Sequence, residues 1–153
     1  MQAPVKNKEI RCNRKVEVKD MKTVTAKITK PITLGTVLNC ADNSGAKELR
    51  LIAVVGYKGR LRRLPKAGVG NVIICSVTKG KEKLRHQIVY AVIVRQKKEY
   101  RRLDGTRVKF SDNAAVLVNQ KTYEPTGTEI RTVIAKEVVE RFSAIGKIAS
   151  IVL

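Results

Sequence analysis

The sequence predicts a small, mainly β domain, a barrel or a sandwich, with a projecting cationic β-ribbon and a helical C-terminal appendage. Three observations carry this. Five short β-branched runs follow one another with turn-formers between them, an Asp-Gly turn signal sits inside a dense cluster of cations, and the apolar periodicity changes from strand to helix after Gly127. At 153 residues and 43% hydrophobic, the chain is one domain, or one domain with a tail, and is long enough to bury a single core.

Residues 1–30 hold nine Lys or Arg and a weak alternation at Val16, Val18, Val24, Ala26 and Ile28. They predict a basic extension, disordered or strand-like when free and ordered on a partner. The folded domain then runs from 31 to 153. TVLNC (36–40), AKELRLIAVVG (46–56), NVIICSVTK (71–79), IVYAVIV (88–94) and AAVLV (114–118) read as strands. ADNSG, GYKG, AGVG and the basic KGKEK punctuate them. Runs so continuously apolar are buried on both faces or wrapped tightly into a barrel.

Past Gly127, in a C-terminal segment of about 129–153, Ile134, Val138, Phe142 and Ile145 fall on one stripe, and Glu137 to Arg141 reads as an i to i+4 ion pair. This predicts a short amphipathic helix, followed after Gly146 by a further helical turn or a terminal strand. Lys136, Glu140 and Arg141 lie opposite the stripe.

The segment RQKKEYRRLDGTRVKF, 95–110, crowds Arg95, Lys97, Lys98, Arg101, Arg102, Arg107 and Lys109 around Asp104-Gly105 against only Glu99 and Asp104. It reads as a hairpin with a type I′ turn, Val108 and Phe110 on one side and Arg107 and Lys109 on the other. An isolated two-stranded ribbon is marginal in water, and since the exposed side of this one is cationic, binding phosphates would both relieve the repulsion and fix it. The loop GYKGRLRRLPKAGVG, 56–70, repeats the theme with Lys58, Arg60, Arg62, Arg63 and Lys66, no acid, and glycines that allow close approach to a phosphate chain. Tyr57 and Tyr100, each inside a cationic cluster, can stack on an unpaired base or pack against Arg stems.

The 32 Lys plus Arg against 13 Asp plus Glu leave a net charge of +19, which points to a polyanion and first to nucleic acid. Engaging six to ten phosphates would change the salt slope of log K by roughly 0.7 to 0.9 per phosphate. A membrane-surface protein would show a basic amphipathic helix with a wide aromatic or Leu face, whereas aromatics are 4% here. There is no spanning apolar run and no signal-peptide core, so a cytosolic protein is expected.

Cys12, Cys40 and Cys75 form no C-x-x-C pair and suggest neither a disulfide framework nor a metal site; Cys40 and Cys75 read as small core residues. His86, in KEKLRHQ, has no second ligand type nearby and reads as a surface or RNA-facing residue. NSGAK and GVG are turns, and Asp104 and Asp112 occupy turn positions with no third acid, so no catalytic constellation, cofactor or small-molecule substrate is expected.

The blocks LNCADNSGAKELRLIAVVGYKGRLRRLPKAGVG, AVIVRQKKEYRRLDGTRVKFSDNAAVL and PTGTEIR together resemble the universal large-subunit ribosomal protein fourteen family, in its archaeal and eukaryotic branch. In the middle block, Ala91 to Val94, nine spacer residues, Asp104-Gly105, Phe110, Asn113 and Val116-Leu117 carry the likeness. It extends over about 33–153 and departs at Thr132-Val133, where the family pattern has Gly-Pro, and at Phe142-Ser143, where it has Trp-Pro.

The resemblance implies a five-stranded antiparallel barrel with a projecting ribbon and small C-terminal helices, a structural constituent of the ribosome in the cytoplasm. It implies large-subunit ribosomal RNA, small-subunit ribosomal RNA across an intersubunit bridge, neighbouring large-subunit proteins and the anti-association initiation factor six as partners. Carried onto this chain, the RNA contacts fall on Lys58 to Lys66 and Arg95 to Lys109, and the protein contacts on Lys136, Glu140 and Arg141. The competing expectation is a free regulatory module that binds single-stranded RNA or DNA. Such a module wants an aromatic-lined groove, and this chain has only six aromatics.

Overall fold

The computed structural model describes residues 28–153, so most of the expected extension, Cys12 included, lies outside the described residues. The chain forms β1 (Ile32–Thr33), β2 (Val37–Cys40), β3 (Ala46–Val54), β4 (Lys66–Ala67), β5 (Val72–Gly80), a 3-10 turn (Glu82–Leu84) and β6 (Ile88–Arg95). It continues through β7 (Tyr100–Arg101), β8 (Arg107–Val108), β9 (Ala114–Val118), β10 (Ile130–Ile134), α1 (Lys136–Arg141), α2 (Ser143–Ile148) and β11 (Ala149–Val152).

All five expected strands are present, and they close into a barrel in the order β2-β3-β5-β6-β9. Neighbours are antiparallel except at the seam, where β2 and β9 run parallel with Asn39 opposite Ala114 and Cys40 opposite Ala115. Register shifts in β3–β5, between Leu51 and Ala53 among others, and between Ile93 and Arg95 in β6–β9 supply the bending that a narrow barrel needs. Closure by five strands leaves no unpaired edge in the barrel.

The continuous apolar runs are buried on both faces, as their composition requires. Ala91 to Arg95 in β6 and Ala114 to Val118 in β9 are buried throughout. Leu38, Leu49, Leu51 and Val77 share one core with these strands, and the same core takes in Ile130, Ile134, Val138, Phe142 and Ile145 of the C-terminal segment. That segment is tied to the barrel where the Ala135 amide donates to the Val94 carbonyl at 3.2 Å.

The C-terminal segment corrects the expectation of one helix over this stretch. Ile130–Ile134 is a strand, paired in parallel with β11, and the helix starts only at Lys136. The four-residue stripe is nonetheless buried, because Ile134 at the end of a strand and Val138, Phe142 and Ile145 beyond it face the same core. The break between α1 and α2 falls at Phe142, whose φ of −124° and ψ of 83° leave the helical region without a proline to enforce it.

The ribbon pairs Tyr100 with Val108 and Arg101 with Arg107. Its turn differs from the type I′ expectation. The Gly105 amide donates to the Arg102 carbonyl at 3.1 Å, so Leu103 and Asp104 are the central residues and Gly105, at φ 83°, follows as the bulge residue. A three-residue loop built on this turn accommodates Asp104 without positive φ, which only the glycine then needs.

Cys75 is fully buried and Cys40 half-buried with its thiol donating to Asp42 Oδ1 at 2.8 Å. Burial pushes both thiols up to about 12, for Cys40 with the help of the Asp42 charge, which keeps them protonated and inert as expected of core residues. Asp42 also accepts from Ser44 Oγ at 2.6 Å and from the Leu117 amide at 3.0 Å, so ADNSG is a clasp between β2 and β9.

Candidate RNA-binding surface

The loop between β3 and β5 begins at Gly56, whose φ of 74° turns the chain out of β3. Lys58, Arg60, Arg62, Arg63 and Lys66 are all exposed, as is Leu61 at 91%. Few contacts hold the loop: Tyr57 Oη donates to the Leu64 carbonyl at 3.3 Å, and the Arg63 amide to the Arg60 carbonyl at 3.1 Å. Arg62 sits at φ 67°, a conformation that costs a non-glycine residue on the order of 1 kcal/mol or more. None of the five cations has a carboxylate partner among the described residues.

The glycines at the far end of this loop serve the protein's own interior and not a phosphate chain, which corrects their sequence reading. Gly68 and Gly70 are buried. A Cβ on Gly68 would sit 2.8 Å from the Thr29 carbonyl and 3.2 Å from Gln96 Oε1. Gln96, fully buried, accepts from the Val69 amide at 3.1 Å and donates to the Thr29 and Lys98 carbonyls at 3.3 and 2.9 Å. This single amide joins the chain entering the barrel, the glycine loop and the root of the ribbon, and nothing in its sequence neighbourhood marked it.

On the ribbon, Lys97, Lys98, Arg101, Arg107 and Lys109 are exposed, with Arg107 bonded to Glu99 at 2.9 Å. Three residues expected there are turned inward. Arg95 is 9% exposed and braced by Asp112, with Nη2 to Oδ2 at 3.0 Å, while Nη1 donates to the Val133 carbonyl at 2.9 Å. A buried guanidinium must be paired, and Asp112 of SDN is the group that does so. Tyr100 is 1% exposed, on the Val108 and Phe110 side of the ribbon, so it is closed to base stacking. Arg102, at the turn end of the ribbon, reaches over to α1.

Glu137 receives all of this. Its Oε2 accepts from Tyr100 Oη at 2.8 Å and its Oε1 from Arg102 Nε at 2.7 Å, while Arg102 Nη2 also donates to the Leu153 carbonyl at 2.7 Å. Burial by itself would raise the Glu137 carboxyl, but the hydrogen bonds from Arg102, the backbone and Tyr100 outweigh it and hold the group below the usual carboxylate range. Burial, and then the bond to Glu137, pushes the Tyr100 phenol well up. The Glu137 to Arg141 pair expected from spacing does not form. Arg141 donates instead to the Gly70 carbonyl at 2.8 Å and lies 5.5 Å from the Phe142 ring centre.

Of the expected protein-contact residues, Lys136 and Glu140 stay exposed and face one another at 4.0 Å, while Arg141 is half-buried. His86 is exposed at φ 64° in the loop before β6. Among the described residues no group of three or more His, Cys, Asp or Glu stands close enough to hold a metal ion, and no helix is long and apolar enough to cross a membrane.

A closed barrel that carries ten exposed cations on one loop and one ribbon, with further exposed cations such as Lys47, Arg50, Lys81, Lys83 and Arg85 elsewhere on its surface, defines a class of small basic barrel protein that presents positive charge. The family model for ribosomal protein L14p/L23e matches residues 31–153. The large ribosomal subunit protein uL14 of Nanoarchaeum equitans is 53% identical over 133 residues, which span 87% of this chain and 100% of that protein. The uL14 proteins of Halobacterium salinarum and Halorubrum lacusprofundi are 49% and 47% identical, each again over 87% of this chain and the whole of the relative. The chain therefore belongs to the ribosomal protein L14p/L23e family.

Proposed function

We propose that this protein is a structural, non-catalytic constituent of the large ribosomal subunit in the cytoplasm. It binds large-subunit ribosomal RNA and contributes to a bridge with small-subunit ribosomal RNA. The observation that carries this reading is the set of ten exposed cations, Lys58, Arg60, Arg62, Arg63, Lys66, Lys97, Lys98, Arg101, Arg107 and Lys109, of which only Arg107 has an acidic partner among the described residues. Charges left open in this way on a chain of net charge +19 need an external polyanion, and forked Arg with mobile Lys suits an irregular RNA backbone. Membership of a ribosomal protein family supports ribosomal RNA as that polyanion.

Lys136 and Glu140, side by side on the outer face of α1, are the contacts for neighbouring large-subunit proteins and for the anti-association initiation factor six. The free single-strand-binding alternative loses ground, because Tyr100, Phe110 and Phe142 are buried and so unable to line a stacking groove. The test is sedimentation of the tagged chain from cell extract on sucrose gradients. The protein is expected in the large-subunit and whole-ribosome fractions, retained through a high-salt wash; recovery only at the top of the gradient would overturn the assignment.

A further inference from the structure

Beside the ribbon lies an open groove of about 470 Å³, lined by Pro31, Ile32, Thr36, Lys97, Lys98, Glu99, Lys109 and Asn113. A smaller one of about 200 Å³, lined by Thr29, Lys98, Glu99, Tyr100, Arg101 and Arg107, shares the Lys98 and Glu99 rim with it. The two form a stepped trough between the chain that enters the barrel and one side of the ribbon. We infer that this trough takes one unstacked nucleotide of RNA, with the base in the larger groove and the adjoining phosphate in the smaller. The inference rests on the RNA-binding reading above and names the kind of RNA that this part of the surface selects.

Three features distinguish the trough from a general phosphate track. The larger groove has an apolar side, Pro31 and the edge of Ile32, which a phosphate gains nothing by meeting and a base face does. Asn113 Oδ1 accepts from the Lys97 amide at 2.8 Å, which fixes the orientation of the side-chain amide and leaves its NH₂ as a donor with no partner among the described residues; with the Thr36 hydroxyl it offers hydrogen bonds to a base edge. Lys97, Lys98 and Lys109 have no carboxylate partner among the described residues, whereas Glu99 is held by Arg107 at 2.9 Å. The acid is thereby neutralised at the step, and Arg101 and Arg107 bring guanidinium groups to the smaller groove, where forked donors suit a phosphate.

The volume suits one small ligand and not a stack of bases. Duplex RNA keeps its bases paired and would leave the apolar side in water, whereas a bulged nucleotide, already unstacked, can enter. No aromatic ring lines the larger groove, so selectivity comes from fit and edge contacts, and discrimination of about tenfold, equivalent to ~1.4 kcal/mol, is expected.

The test uses the full chain and a short RNA hairpin stem, fully paired or carrying one 2-aminopurine bulge, titrated at moderate salt. The bulged stem is expected to bind about tenfold more tightly, with a change in 2-aminopurine fluorescence. Pro31→Ser, which removes the apolar side at an exposed position without adding a charge, is expected to abolish that preference while leaving the affinity for the paired stem and the melting temperature unchanged. Equal affinity for the two stems, a preference that survives Pro31→Ser, or displacement of the bulged stem by an acidic peptide at equal charge would each overturn the nucleotide site while leaving RNA binding intact. Failure to bind either stem would overturn both this inference and the RNA-binding reading on which it rests.

Discussion

Glu137→Ala isolates how far the ribbon depends on one carboxylate. The change removes the acceptor of Tyr100 Oη at 2.8 Å and of Arg102 Nε at 2.7 Å, leaving a buried phenol and a guanidinium only 19% exposed without an anion among the described residues. Removing one partner of a buried pair costs about 3–5 kcal/mol. Arg102 keeps its bond to the Leu153 carbonyl, so a value at the low end, about 3 kcal/mol, is expected. For a domain of this size that lowers Tm by about 10 °C. Read by hydrogen exchange, the Arg102 and Gly105 amides, bonded to the Thr106 and Arg102 carbonyls, become about a hundredfold less protected. Glu137→Gln keeps an acceptor oxygen and is expected to cost about half as much. Replacing both partners by leucine, which leaves no buried charge behind, restores part of the stability. The reasoning is refuted if Glu137→Ala melts with the parent protein and the ribbon amides exchange at unchanged rates.

The same carboxylate sets a pH dependence. Glu137 and Asp112 are both depressed in the folded chain, each against the pull of burial, by Arg102 and by Asn39 with Arg95 respectively. Their contribution is therefore present above the ordinary carboxylate range and lost as pH falls through the lower folded values, and Glu137→Gln should flatten the acid limb of a Tm-against-pH curve. Gly68→Ala places a methyl 2.8 Å from the Thr29 carbonyl and is expected to cost about 1–3 kcal/mol by chemical denaturation, with a cost near zero arguing against the packing described for Gln96. In a Cys12→Ser background, neither Cys40 nor Cys75 should react with a thiol reagent at pH 8 until the protein unfolds; rapid labelling of the native chain would contradict their burial. Arg62→Glu with Arg63→Glu should leave the circular dichroism spectrum unchanged and reduce the salt slope of RNA binding by about 0.7–0.9 for each phosphate that the loop no longer neutralises. An unaltered slope would remove the loop from the interface.

The barrel was legible because its signal is local. Each strand is a β-branched run ended by a turn-former, and the two-sided burial of β6 and β9 follows from runs that show no polar alternation. The parallel seam between β2 and β9 was not legible, since the direction of a closing pair depends on how the whole sheet curls. At the site, the exposed cations could be read from charge density, but the inward ones depend on partners far away in sequence. Arg95 finds Asp112 seventeen positions on, and Arg102 finds Glu137 thirty-five positions on. Glu137 lies four residues before Arg141, and that spacing suggested a pair which the fold dissolves by giving each side chain a better partner elsewhere. One signal was available for Tyr100: across the ribbon it stands opposite Val108, on the side already expected to be apolar.

Cross-linking of the native chain to RNA within purified large subunits, followed by identification of the linked peptides, tests the central claim most directly. RNA adducts are expected on peptides covering Tyr57 to Lys66 and Lys97 to Lys109, with Arg95, Tyr100 and Arg102 unmodified because they face the protein's own interior. Adducts confined to other surfaces, with both cationic projections clean, would contradict it.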